Sequence, residues 1–164
     1  MKKYHYFWGG IYSNWHLCPI KIETIITEDE KYVINKMFNC SEQAMMYLKA
    51  IVFKDYKTAN KILSEDSPKK QKALGRLISN FSNEKWDKVK YTIVSEIVFQ
   101  KFNQNQNLKK EILSNKCDEF VEASPFDKIW GIGYNEKNAT KVPIEQWGQN
   151  LLGKIITETR KKLK

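Results

Sequence analysis

Ser41-Glu42-Gln43-Ala44-Met45-Met46-Tyr47-Leu48-Lys49-Ala50 is the stretch that decides the fold class. Ala44, Met45, Met46, Leu48 and Ala50 are strong helix formers. Ser41 suits the N-cap, and Glu42 suits a first turn whose backbone N–H groups face outward. The chain is therefore expected to become helical after Cys40. Glu42, Met45, Met46, Lys49 and Phe53 recur at helical spacing and share one face. Two of these positions are charged, on the stripe that should meet the core. Glu42 and Lys49 stand two turns apart, about 10 Å along the axis. That exceeds the reach of the usual helix-surface ion pair, but it lets them approach one ligand from opposite ends. A lysine on an apolar stripe loses hydration, which lowers its pKa. The neutral amine is a nucleophile that forms a Schiff base with a sugar aldehyde. The plainer alternative is that Lys49 snorkels to water along its own stem while Glu42 serves the helix N-terminus.

Outward from this helix, Asp55–Leu63 reads as a second helix, and Pro68 opens a third that runs toward Leu77. Ser82 caps the fourth and longest, where Trp86, Val89, Ile93, Ile97 and Val98 recur at helical spacing. Gln104–Leu113 continues the pattern, and Glu119–Ser124 breaks it. A last helix over Gly148–Lys162 carries Leu151, Leu152, Ile155 and Ile156, with its basic residues at the favourable C-terminal end. On the N-terminal side, Tyr4–Trp8 reads as a strand that stops at Gly9-Gly10. Lys21–Ile26 and Tyr32–Phe38 alternate as a hairpin around the polar turn between them. The expectation is a mainly α, single compact helical domain over residues 1–164 with a small N-terminal β element.

Composition narrows the function classes. With 164 residues the chain can bury a core without a metal or disulfide staple. Aromatics at 13% argue against disorder. No apolar run approaches the roughly 18 residues of a membrane span, and the basic start is followed by no apolar segment of a signal peptide. Cys18, Cys40 and Cys117 are far apart, no CxxC pair occurs, and only His5 and His16 could join a metal site. No metal, cofactor or disulfide framework is expected, and a cytoplasmic location fits. The formal net charge of +9 reads either as a solvated lysine-rich surface or as attraction to polyanions such as DNA.

Glu122-Ala123-Ser124-Pro125-Phe126-Asp127-Lys128-Ile129-Trp130-Gly131-Ile132-Gly133 reads as a ligand loop. Pro125 holds the preceding residue extended. Glu122 and Asp127 supply carboxylates, and Trp130 offers a flat ring. Gly131 and Gly133 allow close backbone approach or positive φ. A structural turn with Trp130 in the core is the alternative. Gly75 lies inside a helical pattern, at a cost that suggests a close approach. Beside it, Arg76 is suited to a bidentate phosphate grip or to pairing with a carboxylate. Trp86 is a candidate stacking ring or a core tryptophan.

Taken in order, Ser13-Asn14-Trp15, Ser41-Glu42-Gln43, Lys49-Ala50, Phe53-x-Asp55, Lys72-Ala73-Leu74-Gly75-Arg76, Trp86 and Lys101-Phe102-x-Gln104-Asn105 form a series. It continues through Val121-Glu122-Ala123-Ser124-Pro125, Asp127, Trp130-Gly131-Ile132-Gly133, Trp147-Gly148-Gln149-Asn150-Leu151-Leu152-Gly153 and Arg160. This series resembles the NADAR superfamily, also called YbiA-like, over nearly the whole chain. The resemblance implies an N-glycosidase that hydrolyses a ribose–nitrogen bond without metal or cofactor. Family active-site residues carry over to Glu42, Trp86, Asp127 and Trp130, and the matching lysine is Lys49. The catalytic candidates are Glu42, Lys49 and Asp127, and the substrate-binding candidates are Asn14, Arg76, Trp86, Glu122, Trp130, Gly131 and Asn150. Two substrates are implied: ADP-ribose on guanine, in DNA or as a nucleotide, and ribosylaminopyrimidine 5'-phosphates of riboflavin synthesis. The charge tilts the expectation to the first. Many members have His after the motif glutamate, whereas this chain has Gln43. The rival from another class is a non-catalytic module that binds ADP-ribose or a nucleotide, which would keep Arg76 and the tryptophans but not need Lys49 and Glu42.

Overall fold

The computed structural model describes residues 1–164. The chain runs β1 (Tyr4–Phe7), β2 (Ile20–Ile26), β3 (Lys31–Phe38), α1 (Ser41–Val52), α2 (Tyr56–Leu63), α3 (Pro68–Gly75), α4 (Asn83–Gln104), α5 (Gln106–Ser114), β4 (Glu119–Glu122), α6 (Glu136–Ala139) and α7 (Leu151–Leu163). Single 3₁₀ turns lie at Gly10–Tyr12 and Ile144–Gln146. The expectation of a mainly α fold holds. Contacts gather the chain into two compact units, a central one, Asn14–Asn105, and a terminal one, Met1–Ser13 with Gln106–Lys164. The cause is β1, whose pairing with β4 carries the first residues into the C-terminal unit.

In the central unit, α1 is the hub and packs on α2, α3, α4 and β3. Every residue of α1 except Lys49 and Ile51 is buried. The expected stripe thus widens to almost the full circumference, as a helix does when it is enclosed on all sides. Cys40, not Ser41, is the N-cap, with its sulfur accepting from the Gln43 N–H at 3.5 Å. Ser41 is the first helical residue. The other caps fall where small polar residues predict them: Asp55 on α2, Ser67 before Pro68 on α3, and Ser82 on α4. The hairpin β2–β3 is antiparallel, with an irregularity between Ile22 and Thr24. It turns Ile20, Ile22 and Ile25 inward, and β2 packs on α4. The α4 stripe of Val89, Ile93, Ile97 and Val98 is buried as its spacing predicts. Each such side chain stabilises the fold by about 1.5–3 kcal/mol on burial.

In the terminal unit, β1 and β4 run parallel, from Tyr4 opposite Glu119 to Phe7 opposite Glu122. Helix α7 covers β4, burying Leu152, Ile155 and Ile156 in the same unit as Phe120 and Val121. Thr157 ties helix to strand: its hydroxyl accepts from the Phe120 N–H at 3.0 Å and donates to the Gly153 carbonyl at 2.8 Å. Arg160 is buried and straps Asn115, Cys117 and Asp118 through its guanidinium. Sequence periodicity misses β4 because four residues are too few to show alternation and its partner lies near the other end of the chain. The last helix starts at Leu151 rather than Gly148. Gly148 and Gln149 instead hydrogen-bond the Ile132 and Lys128 carbonyls.

Candidate active site

Glu42 opens α1 with 4% of its surface exposed, and its backbone N–H donates to the Asn14 carbonyl at 2.8 Å. Asn14 is itself buried. Its side-chain oxygen, and the neighbouring Ser41 hydroxyl, find no hydrogen-bond partner in the protein. Buried polar atoms are almost always satisfied, so these two are exceptions; Ser41 precedes Glu42 in the chain, and Asn14 is joined to it by the backbone hydrogen bond.

Two turns along α1, Lys49 is half-buried. Its Nζ donates to the Gly75 carbonyl at 3.1 Å and sits 4.5 Å from the centre of the Phe81 ring. Phe81 is held edge-on by Phe53 at 5.1 Å. Burial lowers the Lys49 pKa; the Glu42 carboxylate opposes this and the Arg76 guanidinium adds to it. The Lys49 ammonium is turned to a backbone carbonyl and to the Phe81 ring, which is itself 40% exposed. The Gly75 carbonyl comes close for a reason visible in the chain: a Cβ at Gly75 would collide with the Met46 sulfur. Arg76 is exposed just after α3, free of any salt bridge. Trp86 is buried in line with Val89 on α4, a packing position as much as a stacking one. Phe81 escapes sequence reasoning altogether, since it lies in a loop where periodicity carries no signal.

Gln43 turns away from this chemistry. Its amide donates to the carbonyls of Ile62, Leu63 and Glu65 and accepts from the Asn39 N–H at 2.7 Å. The departure from the family's usual histidine therefore falls on a residue that latches the end of α2.

The remaining candidates belong to the terminal unit. Asp127 Oδ1 accepts from the N–H groups of Ile129 and Trp130, both at 2.8 Å, and so shapes the loop it stands in. Trp130 is half-buried. Gly131 is tight against the chain's own backbone: a Cβ there would stand 2.8 Å from the Glu122 carbonyl oxygen. Only Gly133 of this pair takes positive φ, at 75°. Glu122 continues β4, and its N–H donates to Asn150 Oδ1 at 3.0 Å. Asn150 also donates to the Phe120 carbonyl at 3.0 Å. Gly131 and Asn150, expected as substrate-binding residues, also make these contacts within the loop and at the strand edge. No group of His, Cys, Asp or Glu is arranged to hold a metal ion, and no helix is long and apolar enough to cross a membrane.

The NADAR domain family matches residues 6–164. The chain belongs to the NADAR family. N-glycosidase R617 of Acanthamoeba polyphaga mimivirus is 38% identical over 96% of this chain and 95% of its own length. N-glycosidase YbiA of Escherichia coli is 27% identical over 94% of this chain and 81% of its own. The solution structure of YbiA superposes with a TM-score of 0.72, over 99% of this chain and 86% of that one at 24% identity, so the fold is shared. A riboflavin biosynthesis protein of Vibrio vulnificus is 26% identical over 76% of this chain and 31% of its own. In this NADAR chain, Glu42, Lys49 and Arg76 all lie in the central unit.

Proposed function

We propose that this NADAR-family N-glycosidase cleaves the bond between ribose C1 and an exocyclic amine, with ADP-ribosyl guanine as its first substrate. The observation that carries this reading is Lys49: an amine with a lowered pKa, oriented by a carbonyl and a ring, within electrostatic reach of the buried Glu42. Opening of the ribose ring gives an imine at C1, and the ring oxygen takes a proton. Neutral Lys49 Nζ adds to C1. The base amine then leaves with a proton, and a Lys49–C1 imine remains. Water adds to that imine, Lys49 departs, and the sugar recloses. Glu42 moves protons in these steps, while Asp127 is the second candidate for the role. The Asn14 side-chain oxygen and the Ser41 hydroxyl accept sugar hydroxyl groups, and Arg76 holds phosphate. Trp86, Trp130 and Glu122 remain proposed substrate contacts. In the competing route a carboxylate activates water directly.

The test is to incubate the protein with ADP-ribosylated guanine DNA and, separately, with a ribosylaminopyrimidine 5'-phosphate, and to follow base release. Turnover of the first is expected, and turnover of neither defeats the reading. Borohydride added during turnover should fix sugar on Lys49. Activity that survives Lys49→Ala would leave the carboxylate route. Asp127→Asn keeps the loop-shaping oxygen but removes the charge, so its activity loss reports proton transfer rather than loop collapse. The second substrate stays in view because the Vibrio relative is named for riboflavin biosynthesis.

A further inference from the structure

The terminal unit contains a cavity of about 630 Å³ that the chemistry above does not use. It is lined by Tyr6 and Phe7 of β1, by Trp8 just after the strand and by Ala123, and, from the segment around α6, by Asn135, Glu136, Lys137 and Thr140. Two of these polar groups are already engaged. The Asn135 side chain caps α6 by accepting from the Asn138 N–H, and the Thr140 hydroxyl donates to the Lys137 carbonyl. Glu136 and Lys137 enter no salt bridge. Glu136 is exposed and lines the same cavity as Tyr6.

Trp8 is 60% exposed and touches Phe126, which is 86% exposed, with ring centres 5.8 Å apart. Large aromatics left at the surface are informative when they are contiguous and border a cavity. Here Trp8 lines the cavity and Phe126 touches the Trp8 ring, while the Tyr6 ring meets Trp147 edge-on at 6.0 Å.

We propose that this cavity is a nucleobase site: a flat base stacks on Trp8, its N–H edge donates to the Glu136 carboxylate, and Lys137 meets the attached phosphate. Aromatic faces bind bases regardless of identity. A carboxylate facing the edge adds selectivity, because it only accepts hydrogen bonds. Guanine presents an adjacent ring N–H and amino group to such an acceptor. Adenine presents an amino group beside a ring acceptor that a carboxylate repels. The site therefore prefers guanine nucleotides, free or unpaired in a single strand. It does not depend on the glycosidase reading, since binding here involves no bond cleavage.

The test uses GMP and AMP as probes, read by amide and indole NMR shifts and by tryptophan fluorescence on the full chain. GMP is expected to bind saturably, more tightly than AMP, with shifts at Trp8, Glu136 and Lys137. Trp8→Ala should weaken GMP about ten-fold. Glu136→Gln should bring GMP and AMP to similar affinity while stacking on Trp8 persists. Both side chains are exposed, so the variants should retain the wild-type spectrum elsewhere. Absence of saturable binding, equal binding by Trp8→Ala, or shifts confined to Asn14–Asn105 would overturn the proposal. Loss of glycosidase activity with GMP binding intact would count against the proposed reaction alone.

Discussion

Lys49 shows how a single side chain acquires chemistry from its surroundings. Burial favours its neutral form, Glu42 favours the ammonium, and Arg76 opposes it. The signs can be tested one at a time. Lys49 in the wild type should titrate below an ordinary lysine, by NMR of selectively labelled side chains. Glu42→Gln removes the group that raises the pKa, so the midpoint should fall further. Arg76→Ala removes a group that lowers it, so the midpoint should rise. If the reaction needs the neutral amine, the pH–rate curve climbs through that midpoint and should move upward in Arg76→Ala. A midpoint unmoved by either substitution would dissolve the proposed cluster. Half of this was legible in the residues: an apolar stripe carrying a charge. The Gly75 carbonyl and the Phe81 ring were not, since each meets Lys49 only once α3 and the loop after it have folded against α1.

At the scale of elements, short polar connections decide how the helices sit. Asp55 caps α2 through Thr58 and also accepts from the Ser79 N–H at 2.9 Å. The Ser79 N–H, and then Thr58, hold its carboxyl down at about 2. A carboxylate with a depressed folded-state pKa stabilises fully above its unfolded value, near 4, and loses that contribution as pH falls through its folded value. The stability gap between wild type and Asp55→Asn, measured by urea unfolding, should therefore close between about pH 4 and pH 2. A gap constant across that window would show that the charge is not what matters. In the terminal unit, Asn150 takes φ of 51° and spends both ends of its amide on β4. Asn150→Ala strands a part-buried N–H and a buried carbonyl and strains the backbone. The expected loss is about 2–4 kcal/mol in denaturant unfolding, and a loss under about 0.5 kcal/mol would show that these hydrogen bonds carry little of the unit's stability. The asparagine was visible in the sequence as part of a family series. Its duty to a strand was invisible, because the strand itself was.

At the scale of the whole molecule, the charge of +9 has a consequence that separates the two substrates. If the substrate is DNA, binding displaces condensed counterions and kcat/KM should fall steeply as salt rises. A small nucleotide should show little change. Equal, shallow salt dependence with both would make the charge a property of the solvated surface. Local sequence determined the long helices, the Ser82 cap of α4 and the β2–β3 hairpin, because helical periodicity, N-cap chemistry and turn polarity act over a few residues. It did not determine the Cys40 cap of α1 or the short α6. The linear series of motifs also determined the family, since its members are named residues in order. Only the tertiary structure decided the parallel pairing of β1 with β4, the division into two units, and the partners of Lys49, Gln43 and Asn150. Those depend on contacts between residues far apart in the chain, whose formation costs loop entropy that no local pattern records. Ser41–Ala50 announced its helix from composition alone; what its lysine touches was settled by the fold.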